Sequence, residues 1–198
     1  KNQVDYIGRY ESMLSAVQTA ELEEYKPKEN WYVLMAACYN ELSLRIGKEE
    51  SLYKQLDIYE ILVNLYPKKM YFIQLGGIYG QLSRELDYMI TLNAAYQKDL
   101  LDKESEYLAL TQLLLLNNNP YWAAKVLEAG RIKKVPVIDE KTKEEKILPV
   151  VKDNEKNLKL LADAWRMAQE IDIAIPIMEK AAKLAKDGQT FIILGSLY

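Results

Sequence analysis

The 198-residue chain contains no histidine. That absence removes imidazole acid/base catalysis, Ser-His-Asp and Cys-His nucleophile pairs, and histidine-containing zinc sites. It has one cysteine, Cys38, so no internal disulfide can form. Cys38 stands at a packing position and reads as a buried structural thiol, a state compatible with the cytosol and with an envelope compartment. No run of about 18 apolar residues exists, and residues 113–116 are far too few to span a bilayer. There is no surplus of positive charge: 26 Lys and Arg stand against 29 Asp and Glu, a net charge of -3. Phosphate-backbone binding needs clustered Lys and Arg, so nucleic acid is not an expected partner. No secretory leader is visible. Position 1 is Lys rather than Met and Tyr198 falls in mid-motif, so the chain reads as a piece of a longer protein.

What is present is a repeat. The chain is 49% hydrophobic and 28% charged, enough to bury a core as one large domain or a short array. Phe72-Ile73-Gln74-Leu75-Gly76-Gly77-Ile78-Tyr79 returns as Phe191-Ile192-Ile193-Leu194-Gly195-Ser196-Leu197-Tyr198. In both, an aromatic is followed three residues later by Leu-Gly, and three after the Gly by Tyr. Gly76 falls where a paired helix crosses closely, so a larger side chain there would push the helices apart.

The remaining chain reads as copies of this unit. Residues 1–27 carry Tyr6, Ile7, Tyr10, Met13, Leu14 and Val17 at helical spacing, up to a stop at Pro27. They are expected to be the remnant of a preceding repeat. Residues 28–68 open at Asn30, an expected N-cap, and hold Trp31, Leu34 and Cys38, then Leu52, Leu56, Tyr59 and Leu62. About eight residues around Ser43–Glu50 exceed a 34-residue period and lengthen the turn or the helices. Residues 69–103 are the cleanest unit, with Tyr88, Leu92, Ala95 and Tyr96 in its second helix. Residues 104–130 place Tyr107, Leu110 and Leu114 before an Asn117-Asn118-Asn119 turn, with Asn119 as N-cap and Pro120 as first helical residue. Gly130 suits that helix's end. Residues 131–154 break the rhythm: β-branched runs at 135–138 and 147–151 flank a polar turn, which predicts a β-hairpin. Its prolines confine it to edge-type pairing, and an isolated hairpin is marginal, so it is expected to lie on the helices or on a partner. Residues 155–187 form a further unit, with Pro176 in the first turn of its second helix and Asp187-Gly188 as its end. Residues 188–198 begin another.

These motifs resemble the tetratricopeptide (TPR) repeat. The resemblance implies an all-α, right-handed TPR-type α-solenoid of stacked antiparallel helix pairs, with a hairpin insertion. Stretches such as Glu29-Asn30-Trp31-Tyr32, Leu65-Tyr66-Pro67-Lys68-Lys69, Gln74–Gly80, Leu100–Glu104 and Ala123–Glu128 are similar to bacterial envelope TPR proteins of TonB-type energy-transducing systems. That narrower resemblance implies a periplasmic, non-enzymatic accessory protein; the cytoplasm is the alternative. The family links its later repeats briefly, whereas here the 131–155 connection is long.

In TPR proteins the first helices line a concave peptide groove. The family's groove positions fall on Tyr32, Ala36, Tyr39 and Asn40; on Met70, Ile73, Gly77, Gly80 and Gln81; on Leu108, Gln112, Leu115 and Leu116; and on Lys159, Asp163, Arg166 and Met167. Tyr32 and Ala36 stand where a carboxylate-gripping clamp would need Lys and Asn. The expected ligand is therefore a peptide, helical or extended, held by apolar anchors. Packing is the competing role for Leu108, Leu115 and Leu116, and equally for Tyr32 and Tyr39. The paired carboxylates Glu23-Glu24, Glu49-Glu50 and Glu144-Glu145 read as solvated surface, because adjacent helical residues point apart. No cofactor, metal or membrane insertion is expected. The leading function is a protein-binding scaffold. Self-assembly through exposed repeat ends is the alternative, and an enzyme the remote one.

Overall fold

A computed structural model describes residues 3–22, 28–138, 143–185 and 188–196. The chain divides into two compact units, residues 1–100 and 101–198. The first holds α1 (Gln3–Leu22), α2 (Glu29–Glu41), α3 (Ser43–Ile46), α4 (Lys48–Leu65), α5 (Lys69–Gln81) and α6 (Glu85–Gln97). Successive long helices pack on one another: α1 on α2, α2 on α4, α4 on α5 and α5 on α6. The apolar spacing read from the sequence supplies the contacts. Tyr10, Met13 and Val17 of α1 join Tyr32, Met35, Ala36 and Tyr39 of α2 and Ile58 and Leu62 of α4 in one cluster. Leu52, Leu56, Leu75, Ile78 and Tyr79 form the next. The expected stop at Pro27 lies outside the described residues, as does the pair Glu23-Glu24.

The second unit holds α7 (Glu104–Leu116), α8 (Pro120–Ile132), β1 (Lys134–Ile138), β2 (Glu145–Pro149), α9 (Glu155–Met167), α10 (Ile171–Leu184) and α11 (Gln189–Gly195). Its helices also pack in sequence order. Ala123, Leu127, Leu161, Ala162, Trp165, Met178 and Ala181 are buried; small residues let the helices approach and large ones fill the layers between.

Three helix pairs are joined by the same turn. Ser83, Asn118 and Gln169 each adopt the left-handed conformation, at φ 56, 54 and 65°. The following residue donates back five positions: Arg84 N to Tyr79 O at 2.9 Å, Asn119 N to Leu114 O at 2.8 Å, Glu170 N to Trp165 O at 2.9 Å. This is the Schellman closure, made here without glycine. The α2–α4 connection differs. It inserts the single turn α3 and then Gly47, whose φ of 96° suits a residue without a Cβ. The extra residues of the first repeat thus become a helical turn plus an α4 of 18 residues.

Several terminal features depart from the sequence reading. The helix of the first repeat starts at Glu29, placing Asn30 inside it. Asn119 and Pro120 take the expected N-cap and first helical positions of α8, but the Asn119 side chain makes no cap hydrogen bond. Gly130 is not a terminus: α8 continues to Ile132, and Gly130 is buried where a Cβ would meet Val151 Cγ2 at 2.6 Å and Tyr107 Cδ1 at 2.7 Å. Pro176 lies past the first turn of α10, so Asp172 O loses its intrahelical donor, at an exposed residue where water can replace it. The helix α10 ends at Leu184, and Gly188 precedes α11.

The expected hairpin is present. β1 and β2 pair antiparallel, with Val135 opposite Leu148 and Pro136 opposite Ile147. Its base is fixed: Val150 N donates to Lys133 O and Val151 N to Gly130 O, both at 2.9 Å, and Val150 and Val151 are buried. Arg131 clasps Asp153 with two bonds of 2.6 and 2.8 Å. The strands themselves do not lie on the helices. Ile138 and Ile147 are 66% and 71% exposed.

Candidate functional site

Each of the residues assigned to a binding groove sits on a first helix, and burial divides them. In the first unit Tyr32 and Tyr39 are 3% and 9% exposed and Ala36 is equally enclosed. The cause is α1, which covers that side of α2. The Tyr10 ring packs on Tyr39 with centroids 4.6 Å apart, and the two hydroxyls are hydrogen-bonded. These three residues belong to the core, so the aromatic anchors expected here are not on the surface. Burial also raises the pKa of the Cys38 thiol, which keeps it protonated. Asn40 and Gln81 are exposed, Met70 is exposed and Ile73 half-buried.

In the second unit Leu108 is half-buried and Gln112 exposed. Leu115 is half-buried, and Leu116 and Met167 are exposed. Lys159 and Asp163 are half-buried, and Arg166 donates to Asp163 across 3.2 Å on the same helix face.

The structure brings Asn40 and Gln81 to one place. The C-terminal ends of α2 and α5 border a cleft of about 270 Å³, whose floor is the start of α4. Asn40 enters from α2, Gln74, Gly77 and Gln81 from α5, and Ser51 and Gln55 from α4. The floor is internally braced: Ser51 Oγ donates to Tyr39 O at 2.7 Å, and Gln55 Nε2 donates to Ser51 Oγ at 3.0 Å. Ser43 and Lys48, which flank the inserted turn, complete the rim. The positional pattern identified Asn40, Gly77 and Gln81. It missed Gln55 and Ser51, because the face α4 presents depends on the length of the inserted turn. The signal was the surplus of residues at 43–50.

Neither pair Glu49-Glu50 nor Glu144-Glu145 is buried. Among the described residues no group of three or more His, Cys, Asp or Glu is placed to hold a metal ion, and no helix is long and apolar enough to cross a membrane.

No protein-family model and no curated protein matches the chain. Solved structures do match its fold. YrrB, described as a TPR protein with an unusual peptide-binding site, superposes with a TM-score of 0.54 at 14% identity, over 91% of this chain and 81% of YrrB. A MamA RS-1 ArsTM double mutant superposes with a TM-score of 0.50 at 16% identity, over 82% of each chain. The fold of this chain is thus the TPR-type α-solenoid of antiparallel helix pairs, carrying one β-hairpin.

Proposed function

We propose that this chain is a non-enzymatic scaffold that binds a segment of another protein. The observation that carries this reading is the convergence of Asn40 and Gln81, from two successive first helices, on one open cleft. Stacked helix pairs use their other faces for each other, which leaves first-helix positions for ligands. That YrrB is described as carrying a peptide-binding site supports a peptide as the ligand class. Met70, Ile73, Leu108, Gln112, Lys159, Asp163 and Arg166 are further groove positions under the same reading. The sequence resemblance supports, as part of this proposal, a periplasmic location and an accessory role beside a TonB-type transport system.

The test is crosslinking and pull-down from native cell envelopes with the intact protein, comparing wild type with Asn40→Ala/Gln81→Ala. Loss of a captured protein in the variant supports the reading. Recovery of no partner from any cell fraction overturns it. Substituting Tyr32 or Tyr39 would not serve, because both are core residues.

Self-assembly is a second reading, favoured by the exposed Phe191 and Ile192 of α11. Light scattering across a hundredfold dilution decides it: a constant monomer mass removes it.

A further inference from the structure

The hairpin of the second unit is apolar on a face that no described residue covers. We infer that this face is an interface between two copies of the chain, which pack ribbon on ribbon with base against tip. The inference is independent of the scaffold reading, whose cleft lies in the first unit, and of the α11 surface.

The register decides which side chains share the face. Residues directly opposite each other in an antiparallel pair project to the same side. From base to tip, one face therefore carries Lys134 with Pro149, then Pro136 with Ile147, then Ile138 with Glu145. All six are exposed, and the two isoleucines are bare. The opposite face is more sheltered, with Val135 half-buried and Leu148 and Val137 at 37% and 41% exposure. A two-stranded ribbon is marginal in water on its own, so two bare isoleucines on one side call for a cover. Addition of a further strand at an edge is hindered, because Pro136 and Pro149 lack an N–H to offer. Packing of face on face remains, as sheets do at a spacing of about 10 Å.

The charge pattern names the occupant. The face is positive at its base, apolar in its middle and negative at its tip. Lys134 and Glu145 stand two rows apart, about 13 Å along the strands, too far to pair with each other. Among the described residues neither makes a hydrogen bond or an ion pair. The face is thus complementary to itself. A second copy turned about a two-fold axis that runs across the strands lays its Ile138–Glu145 row over the Lys134–Pro149 row of the first. Ile147 then meets Ile147, and each end gains a charge of opposite sign within reach of extended side chains. A two-fold axis along the strands would set lysine beside lysine and glutamate beside glutamate, which is unfavourable. The chosen arrangement uses the same patch on both copies and closes at two. Strands of five residues give a face of about 17 by about 10 Å per copy, far below a standard interface. The association is accordingly weak, with a dissociation constant of about 10⁻⁴ M.

Sedimentation equilibrium of the whole chain, from about 10 μM to about 1 mM at about 50 mM salt, tests this. The weight-average mass of the wild type should climb towards that of a dimer. Ile147→Asp should hold it at the monomer. Lys134→Glu alone and Glu145→Lys alone should each weaken association at least threefold, because each turns both end contacts into like-charge pairs. An equimolar mixture of those two variants should associate as well as the wild type, since every end contact is then opposite in sign again. All these positions are exposed, so melting temperatures should stay within a few degrees of wild type. A constant monomer mass for the wild type overturns the inference. So does a dimer that survives Ile147→Asp, or a mixture no tighter than its two components. Each of these outcomes leaves the scaffold reading standing, because none of the substitutions touches the Asn40–Gln81 cleft.

Discussion

Two adjacent glycines show how one side chain's surroundings decide its cost. A Cβ at Gly76 would lie 2.8 Å from two atoms of the Tyr88 ring, whereas Gly77 faces open space. Gly76→Ala should therefore cost about 1–3 kcal/mol by overpacking. Gly77→Ala should gain about 0.5–1 kcal/mol from helix propensity. Urea denaturation midpoints check both, and equal midpoints would overturn the close-crossing account. A second residue pair carries a pH dependence. Burial, reinforced by a hydrogen bond to Glu29, pushes the Tyr71 hydroxyl up to about 12 from its ordinary 10.0. The bonds from Lys68 and Tyr71 hold Glu29 below its ordinary 4.5. On the alkaline side the unfolded chain loses the Tyr71 proton first, so stability falls as pH rises from about 10 to about 12. On the acid side the unfolded chain gains the Glu29 proton first, so stability falls as pH drops below about 4.5. Tyr71→Phe should flatten the alkaline slope of melting temperature against pH. Tyr79, raised for the same reasons by burial and Glu60, should keep the remainder.

Among elements, polar hooks between successive first helices stand out, and the repeat signature does not predict them. Glu104, at the start of α7, accepts from Asn157 Nδ2 of α9 at 2.6 Å and from Lys152 N at 3.1 Å. Glu155, at the start of α9, accepts from Thr190 Oγ1 of α11 at 2.7 Å. Glu29 and Tyr71 make the corresponding contact between α2 and α5. Asn157, Thr190 and Tyr71 all stand one residue before the leading repeat position and are buried. Removing an acceptor from a buried donor costs more than removing an exposed ion pair. Glu104→Ala should thus destabilise by about 1–3 kcal/mol in chemical denaturation. Arg166→Ala, which breaks an exposed pair with Asp163, should stay within about 0.5 kcal/mol. The hairpin divides in the same way. Its base is core, so Val151→Ala should cost about 2 kcal/mol, from lost burial plus a cavity. Replacing residues 136–147 by a tight Asn-Gly turn removes, among the described residues, only exposed ones and should leave the melting temperature within a few degrees.

At the scale of the whole chain, helices that pack on their sequence neighbours give a stability that is a sum of local terms. This is also why so much of the fold was legible. Phe72, Leu75, Gly76 and Tyr79 each describe a contact with a helix only tens of residues away. The hairpin was legible because Val135 and Ile147 lie in β-branched runs around a polar turn. Pro176 was misread because the start of α10 depends on where the preceding turn closes, as Glu170 N closes it on Trp165 O, whereas Asn119 and Pro120 stand at the N-cap and first helical positions expected of them. The lining of the candidate cleft was legible by half. Position in the repeat marked Asn40 and Gln81. The same rule marked Tyr32 and Tyr39, and there it failed, because burial of α2 is decided by where α1 settles and the spacing of Tyr10 and Val17 does not state that.

The hairpin's prolines have a consequence beyond its own pairing. Pro136 and Pro149 have the same parity in the register, and neither has an N–H to give, so the ladder runs through Val135, Leu148, Val137 and Lys146. One proline then stands on each outer edge, where a donor would otherwise point away from the ribbon. An apolar ribbon with intact edges is a template on which stray chains assemble into fibres. This one displays Ile138 and Ile147 with an interrupted edge on both sides, so it should resist amyloid growth at concentrations where Pro136→Val/Pro149→Val begins to bind thioflavin T.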